Sequence, residues 1–395
     1  MVSEVVAARP PGGPPEPRLA WLGVELRSAV WWLLCAFAFS VPFSIFIAQL
    51  LLTLTTVAAA AEWRARGFPR APTPLDAPIA GFALSALLAA VVGLDTRASL
   101  WGLRSYLQIV IVYLVYVHAS TPERASKLIA CFLAGSAVTA GYTVLGAAAP
   151  SLFPRLFLGH MTQSGQLLFA IGLVLPRLMH GAAPGWRPRL ALVVYVLALI
   201  VNLKRGVWLG VVATVGTVAA LISRRVGLIA AALIVVTVVA VSPVRARIAN
   251  SARDLLLPGN RHDIWLAAVD VVQRFPMGVG RKNGAILRDY PNIPQHHKHA
   301  HNNLLQVTLE GGFLGLAAFL WWMARFAAVS WRAYRRNSRD DAILQPVAVA
   351  VLATFVGFHV AGLVEYNFGD SEVLEAFFLT MGLGLVVDAS TRRSE

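Results

Sequence analysis

Residues 299–328 read HAHNNLLQVTLEGGFLGLAAFLWWMARFAA. The chain changes character inside this stretch. Upstream, from Pro243 to Ala300, it is polar, basic and irregular. Downstream of Asn303 it becomes an apolar run long enough to cross a bilayer, which takes about 20 residues at 1.5 Å rise each. His301 stands at the junction, close to water, to lipid headgroups and to a helix N-terminus.

Outward from this junction the same apolar texture dominates. The chain is 57% hydrophobic and 14% charged, with a mean hydropathy of +0.65. A soluble domain carries roughly 25% charged residues, so this composition marks an integral membrane protein. Apolar runs predict twelve spans: 23–41, 43–62, 77–95, 102–119, 125–148, 161–180, 189–203, 206–223, 226–242, 303–328, 342–364 and 373–391. Only Pro42 separates the first two. The predicted fold is all-α, with about twelve transmembrane helices and one large external loop containing short amphipathic helices. The organisation follows: a disordered tail over 1–22, nine spans over 23–242, the loop over 243–302, three spans over 303–391, and a short end over 392–395. The Pro-rich tail shows no cleavable signal peptide. Cys35 and Cys131 fall inside predicted spans and suggest no disulfide.

The larger share of the 34 Lys and Arg residues falls on one side if both termini are cytoplasmic, which puts the 243–302 loop outside. The outside is nevertheless basic. Between Pro243 and Ala300 there are nine Lys or Arg residues against four aspartates. Positive charge on the translocated side opposes the insertion rule. An anionic ligand accounts for it, as does attraction to anionic headgroups.

Within the loop, Asn260 is placed to cap a helix starting at Arg261, with Asp263 three residues on. Ile264, Trp265, Ala268, Val269, Val272 and Phe275 recur at helical spacing. Pro276 ends the run and Gly278-Val279-Gly280 makes a turn. The pattern predicts an amphipathic helix lying in the interface, with Trp265 as anchor. From Arg281 to His299 no period is evident.

If the downstream helix starts near Asn302, Thr308, Gly312 and Gly315 lie within about 40° of His301 at 100° per residue. The histidine then heads a stripe whose glycines admit another helix. Glu310 falls on the opposite face and needs a partner at membrane depth. Position alone leaves His301 two roles: a general base, or a headgroup-level histidine bonded to a backbone carbonyl. At another external span end, Lys204 and Arg205 precede Gly206, which permits close backbone approach. Arginine offers a planar fork suited to phosphate. His296, His297, His299 and His301 invite a metal reading, but their spacing matches no known ligand set.

Together these elements resemble a known family. His301-Asn302, nine residues, then Gly312-Phe313-Leu314-Gly315 is similar to the signature of bacterial O-antigen ligases. Lys204-Arg205-Gly206-Val207-Trp208 resembles the family's Arg-Gly-x-Trp element. Arg261-His262-Asp263-Ile264-Trp265 with Phe275-Pro276-Met277-Gly278-Val279-Gly280 resembles its second arginine element and following turn. The resemblance implies a transmembrane glycosyltransferase that moves a glycan from undecaprenyl pyrophosphate to a sugar hydroxyl of lipid A-core, at the periplasmic face of the inner membrane. It implies no metal, no cofactor and no nucleic-acid partner. It assigns His301 as general base, Arg205 and Arg261 to the pyrophosphate, and Lys204, Arg281 and Asn302 to weaker substrate contacts. An O-antigen polymerase, which shares the donor, and a polytopic transporter are the alternatives.

Overall fold

The computed structural model describes residues 17–67, 72–152, 160–338 and 341–393. Among these the regular structure is helical. In chain order the helices are α1 (Pro17–Ser40), α2 (Ile45–Arg66), α3 (Asp76–Val92), α4 (Thr96–Gly102), α5 (Val110–His118) and α6 (Pro122–Ala148). Then follow α7 (His160–Met179), α8 (Arg187–Asn202), α9 (Arg205–Leu221), α10 (Arg224–Ala240), α11 (Ser242–Ala249) and α12 (Ser251–Leu256). The last four are α13 (Arg261–Arg274), α14 (Asn303–Arg336), α15 (Leu344–Gly362) and α16 (Ser371–Arg393). Six helical stretches among the described residues are long and apolar enough to cross a membrane: α2, Thr96–His118, α6, α14, α15 and α16. Helices α3 and α9 are apolar but shorter, and α10 bends by 94° into α11. An all-helical membrane protein is therefore what the structure shows.

Several expected breaks lie where the residues put them. The turn over Val41–Phe43 separates α1 from α2, and the Ser44 hydroxyl caps α2 by accepting from the Ile47 amide at 3.3 Å. The expected tail is shortened, because α1 already begins at Pro17, a residue whose fixed φ suits a first helical position. The rest of the tail lies outside the described residues.

Small residues set the packing that matters for the site. Gly206, Gly210, Thr214 and Val218 recur every four residues along α9. In antiparallel order they meet Glu365, Ala361 with Gly357, Gly357 and Ala353. A Cβ on Gly210 would stand 2.7 Å from the Gly357 carbonyl oxygen, and one on Gly206 2.5 Å from Glu365 Cγ. Such small-residue seams let helices approach where lipid supplies no hydrophobic drive. The seam delivers the start of α9 to the loop that follows α15.

Helix α14 is fixed lower down by aromatic packing. Trp322, fully buried, stacks on Phe378 of α16 at 5.8 Å and tilts against Phe82 of α3 at 5.5 Å. Near its start the helix is interrupted at Gly312 (φ 66°, ψ −168°). The break lets the Val279 amide donate to the Leu309 carbonyl at 2.9 Å and the Gly280 amide to that of Glu310 at 3.0 Å. The Phe313 amide donates to the Pro276 carbonyl at 3.0 Å. Gly312 thus admits the 276–280 turn and not another helix. A Cβ there would meet the Pro276 oxygen at 2.3 Å in a backbone region L-residues rarely adopt.

The segment between α12 and α14 has its own small core. Ile264, Ala267, Ala268, Val271 and Val272 of α13 bury against Val279, Leu287, Ala300 and Leu309. The buried face is rotated from the expected one, and Val269 is exposed. Asn260 precedes α13 but its side chain makes no cap; the Asp263 carboxylate instead accepts from the Gly259 amide at 2.8 Å. Trp265 is a clasp, its indole N–H donating to the Ala300 carbonyl at 2.9 Å. A 3-10 turn over Gly284–Asp289 orders part of the stretch that showed no period.

Candidate active site

The site gathers at three helix starts and one loop. Arg205 opens α9, Arg261 opens α13, and His301 immediately precedes the Asn302 cap of α14. The loop between α15 and α16 supplies Glu365. Helix N-termini carry partial positive charge, so three of them at one place favour an anion before any side chain is counted.

Glu365 joins the parts. Its Oε1 accepts from Arg261 Nη2 at 2.7 Å, and its Oε2 stands 3.9 Å from His301 Nδ1. The carboxylate is only 7% exposed, His301 17% and Arg261 28%. Burial works against its charge, but the adjoining His301 and Arg261 outweigh that and hold the carboxyl below its ordinary range. Gly206 lies flat against the same side chain. The neighbouring Arg205 guanidinium points elsewhere, donating to the Arg247 carbonyl at 3.2 Å and the Ser251 hydroxyl at 3.1 Å. Lys204, half-buried, begins α9 through its carbonyl, which accepts from the Trp208 amide at 3.1 Å.

His301 is not part of α14. Its φ of 49° puts it in the left-handed region, so the helical stripe drawn from it does not exist. Its ring faces side chains: Nε2 lies 3.3 Å from His297 Nδ1, and its centroid is 4.2 Å from that of His299. Asn302 uses both ends of its amide. Oδ1 accepts from the Leu305 amide at 3.0 Å and Nδ2 donates to the Leu363 carbonyl at 2.8 Å. It ties the start of α14 to the loop that carries Glu365, which is a positioning task.

Arg281 also departs from the expectation of substrate contact. It is 7% exposed and paired with Glu310 at 2.7 Å. It donates further to Ser105 Oγ at 3.0 Å and to the Tyr106 and Tyr366 hydroxyls at 3.1 and 2.9 Å. Glu310, which needed a partner, thereby has one. Its other oxygen accepts from Gln306, whose carbonyl accepts from the Ala300 amide. Part of the positive charge between Pro243 and Ala300 is therefore neutralised inside the protein.

Among the described residues no group of three or more His, Cys, Asp or Glu is arranged to hold a metal ion. Burial, then the neighbouring His301 and His297, pushes His299 down to about 4, and His297 is lowered by burial and by His301 and His296. A histidine lowered on folding stabilises the protein above its unfolded value of about 6.5, and that contribution is lost as pH falls toward 4. Thermal stability is therefore expected to drop between pH 6.5 and 4, with a shallower drop in His299→Gln. Parallel curves for the two proteins would refute this.

Sequence reasoning missed Glu365. The available signal was Gly206, read as permitting close approach; the approaching group is this carboxylate.

Comparison with known proteins falls on the same segment. The sequence profile of the O-antigen ligase family matches residues 190–320. A protein of Rickettsia typhi whose name provisionally makes it a polysaccharide ligase is 27% identical over 89 residues, 22% of this chain. That match spans 18% of the relative's own length. Residues 190–320, which carry Lys204, Arg205, Arg261, Arg281, His301 and Asn302, are therefore similar to the O-antigen ligase family.

Proposed function

We propose that this protein transfers a glycan from undecaprenyl pyrophosphate to a sugar hydroxyl of lipid A-core at the periplasmic face of the bacterial inner membrane, across about twelve spans with both termini cytoplasmic. The observation that carries this reading is that Arg261 and His301 meet on one buried carboxylate among three helix N-termini. A leaving pyrophosphate needs positive charge, and an attacking hydroxyl needs a base; the site offers both within one cluster.

The acceptor oxygen attacks the anomeric carbon as the bond to pyrophosphate oxygen breaks on the opposite face, which inverts the centre. His301 accepts the hydroxyl proton. Arg261 and Arg205 bind the pyrophosphate and stabilise the charge it gains. Lys204 adds charge at the same helix start, and Arg281 and Asn302 hold the frame. No step calls on a metal.

Purified protein in liposomes, supplied with lipid-linked glycan and lipid A-core, tests this directly. Glycan joined to core supports the ligase. Extension of the carrier-bound chain would mean a polymerase, and no transfer at all would return the transporter.

Arg205→Lys keeps the charge and loses the fork. Loss of one charge-assisted hydrogen bond, about 1.5–3 kcal/mol, is expected to raise the donor KM roughly tenfold to a hundredfold. An unchanged donor KM would remove Arg205 from the pyrophosphate.

A further inference from the structure

Glu365 holds two partners unequally. Oε1 is tightly bound to Arg261 Nη2 at 2.7 Å. Oε2 and His301 Nδ1 face each other at 3.9 Å, and both are buried without a hydrogen-bond partner. A buried imidazole nitrogen and a buried carboxylate oxygen left just beyond bonding distance form an unfavourable arrangement that about 1 Å of movement would relieve. The carboxylate is bonded to Arg261 and closely packed by Gly206. Among the described residues the charged or titratable groups against His301 are Glu365, His297 and His299, with Arg261 beyond Glu365 and Tyr366 beyond His299.

We propose that Glu365 is a positioning residue that switches on the base only when a pyrophosphate occupies the site. The idea rests on the glycan-transfer reading given above. Pyrophosphate oxygens arriving at Arg261 compete with Glu365 for its guanidinium, which is the better match for a planar fork. The released carboxylate then moves onto His301 Nδ1 and accepts its proton in a hydrogen bond. That fixes the tautomer in which Nε2, 3.3 Å from His297 Nδ1 in the resting site, carries the lone pair. The acceptor hydroxyl replaces His297 there, and the carboxylate steadies the imidazolium that forms when Nε2 takes the hydroxyl proton. Without donor the base is left misaligned.

This arrangement makes an unusual demand on Glu365→Gln. The neutral amide competes less for Arg261, so donor should bind more tightly, by about fivefold. The same amide no longer steadies the imidazolium, so kcat should fall by about a hundredfold or more. A residue with only a structural role would weaken donor binding along with turnover. Binding is measured on the full-length protein in nanodiscs with glycan-free undecaprenyl pyrophosphate as probe, and kcat in the liposome assay. Tighter binding with slower turnover supports the switch; weaker binding, or unchanged kcat, overturns it. Glu365→Asp retains the charge and should recover part of kcat.

A measurement on the wild-type protein covers the case in which Glu365→Gln fails to fold. In protein labelled with 15N-histidine, the His301 Nδ1 resonance, identified by its loss in His301→Ala, should shift on adding the same probe. A resonance that does not move overturns the switch. If His301→Ala itself turns over normally, the base reading falls; if His301→Ala is inactive while Glu365→Gln has normal kcat, only the switch falls.

Discussion

Replacing His301 by alanine is expected to slow glycan transfer by about 10²- to 10⁴-fold and leave the protein folded and inserted. That is about 3–5 kcal/mol of barrier at 1.36 kcal/mol per tenfold. The fold should tolerate the change because His301 belongs to no hydrophobic cluster and to no helix. Its ring is bonded to another imidazole and stands off from Glu365. Loss should appear in kcat with donor KM little altered, since Arg205 and Arg261 are untouched. The liposome assay, with thermal unfolding as the control, reads both. Near wild-type turnover in a folded variant would sink the assignment of His301 as base.

Replacing Glu310 by alanine should act in the opposite way, through stability. The Arg281–Glu310 pair is buried at both ends, with side chains 7% and 10% exposed. Removing one partner leaves a guanidinium charge stranded beneath Tyr106 and Tyr366, which costs about 3–5 kcal/mol. Against a typical stability of about 5–15 kcal/mol that is a large fraction. The expected result is a markedly lower unfolding temperature and poor recovery of folded protein. The double variant Glu310→Leu with Arg281→Met removes both charges and should regain most of the loss. A single variant as stable as wild type would show that the pair does not hold the turn to α14.

The helical, membrane-bound character and several helix ends were readable, because they depend on neighbours in sequence; against twelve expected spans, six helical stretches among the described residues are long and apolar enough to cross a bilayer. Pro42 and Pro276 interrupt, and Arg261 starts a helix that ends where Phe275 and Pro276 require. Two of the three principal side chains meet on one carboxylate; Arg205 opens the helix whose Gly206 packs against it, but its own guanidinium turns to Arg247 and Ser251. What escaped reading was pairing at a distance. Glu365 is 104 residues from Arg261, and Arg281 is 29 from Glu310. Apolar periodicity carries no information on which acid meets which base. Arg281 therefore looked like a substrate ligand, while its counter-charge looked unpartnered. The His301 stripe failed for a local reason: counting at 100° per residue assumes helical backbone, and His301 precedes it.

The same long separations impose an order on the birth of the protein. Residues 243–300 are synthesised before the chain that holds them. The 276–280 turn has no backbone partners until Leu309 and Glu310 emerge and α14 breaks at Gly312. Arg261 waits longer: at about 5–20 residues per second of synthesis, Glu365 follows it by about 5–20 s. The loop is thus made as a cation ahead of its counter-ions, and a chain stopped after α15 would lack the one carboxylate on which the site is assembled.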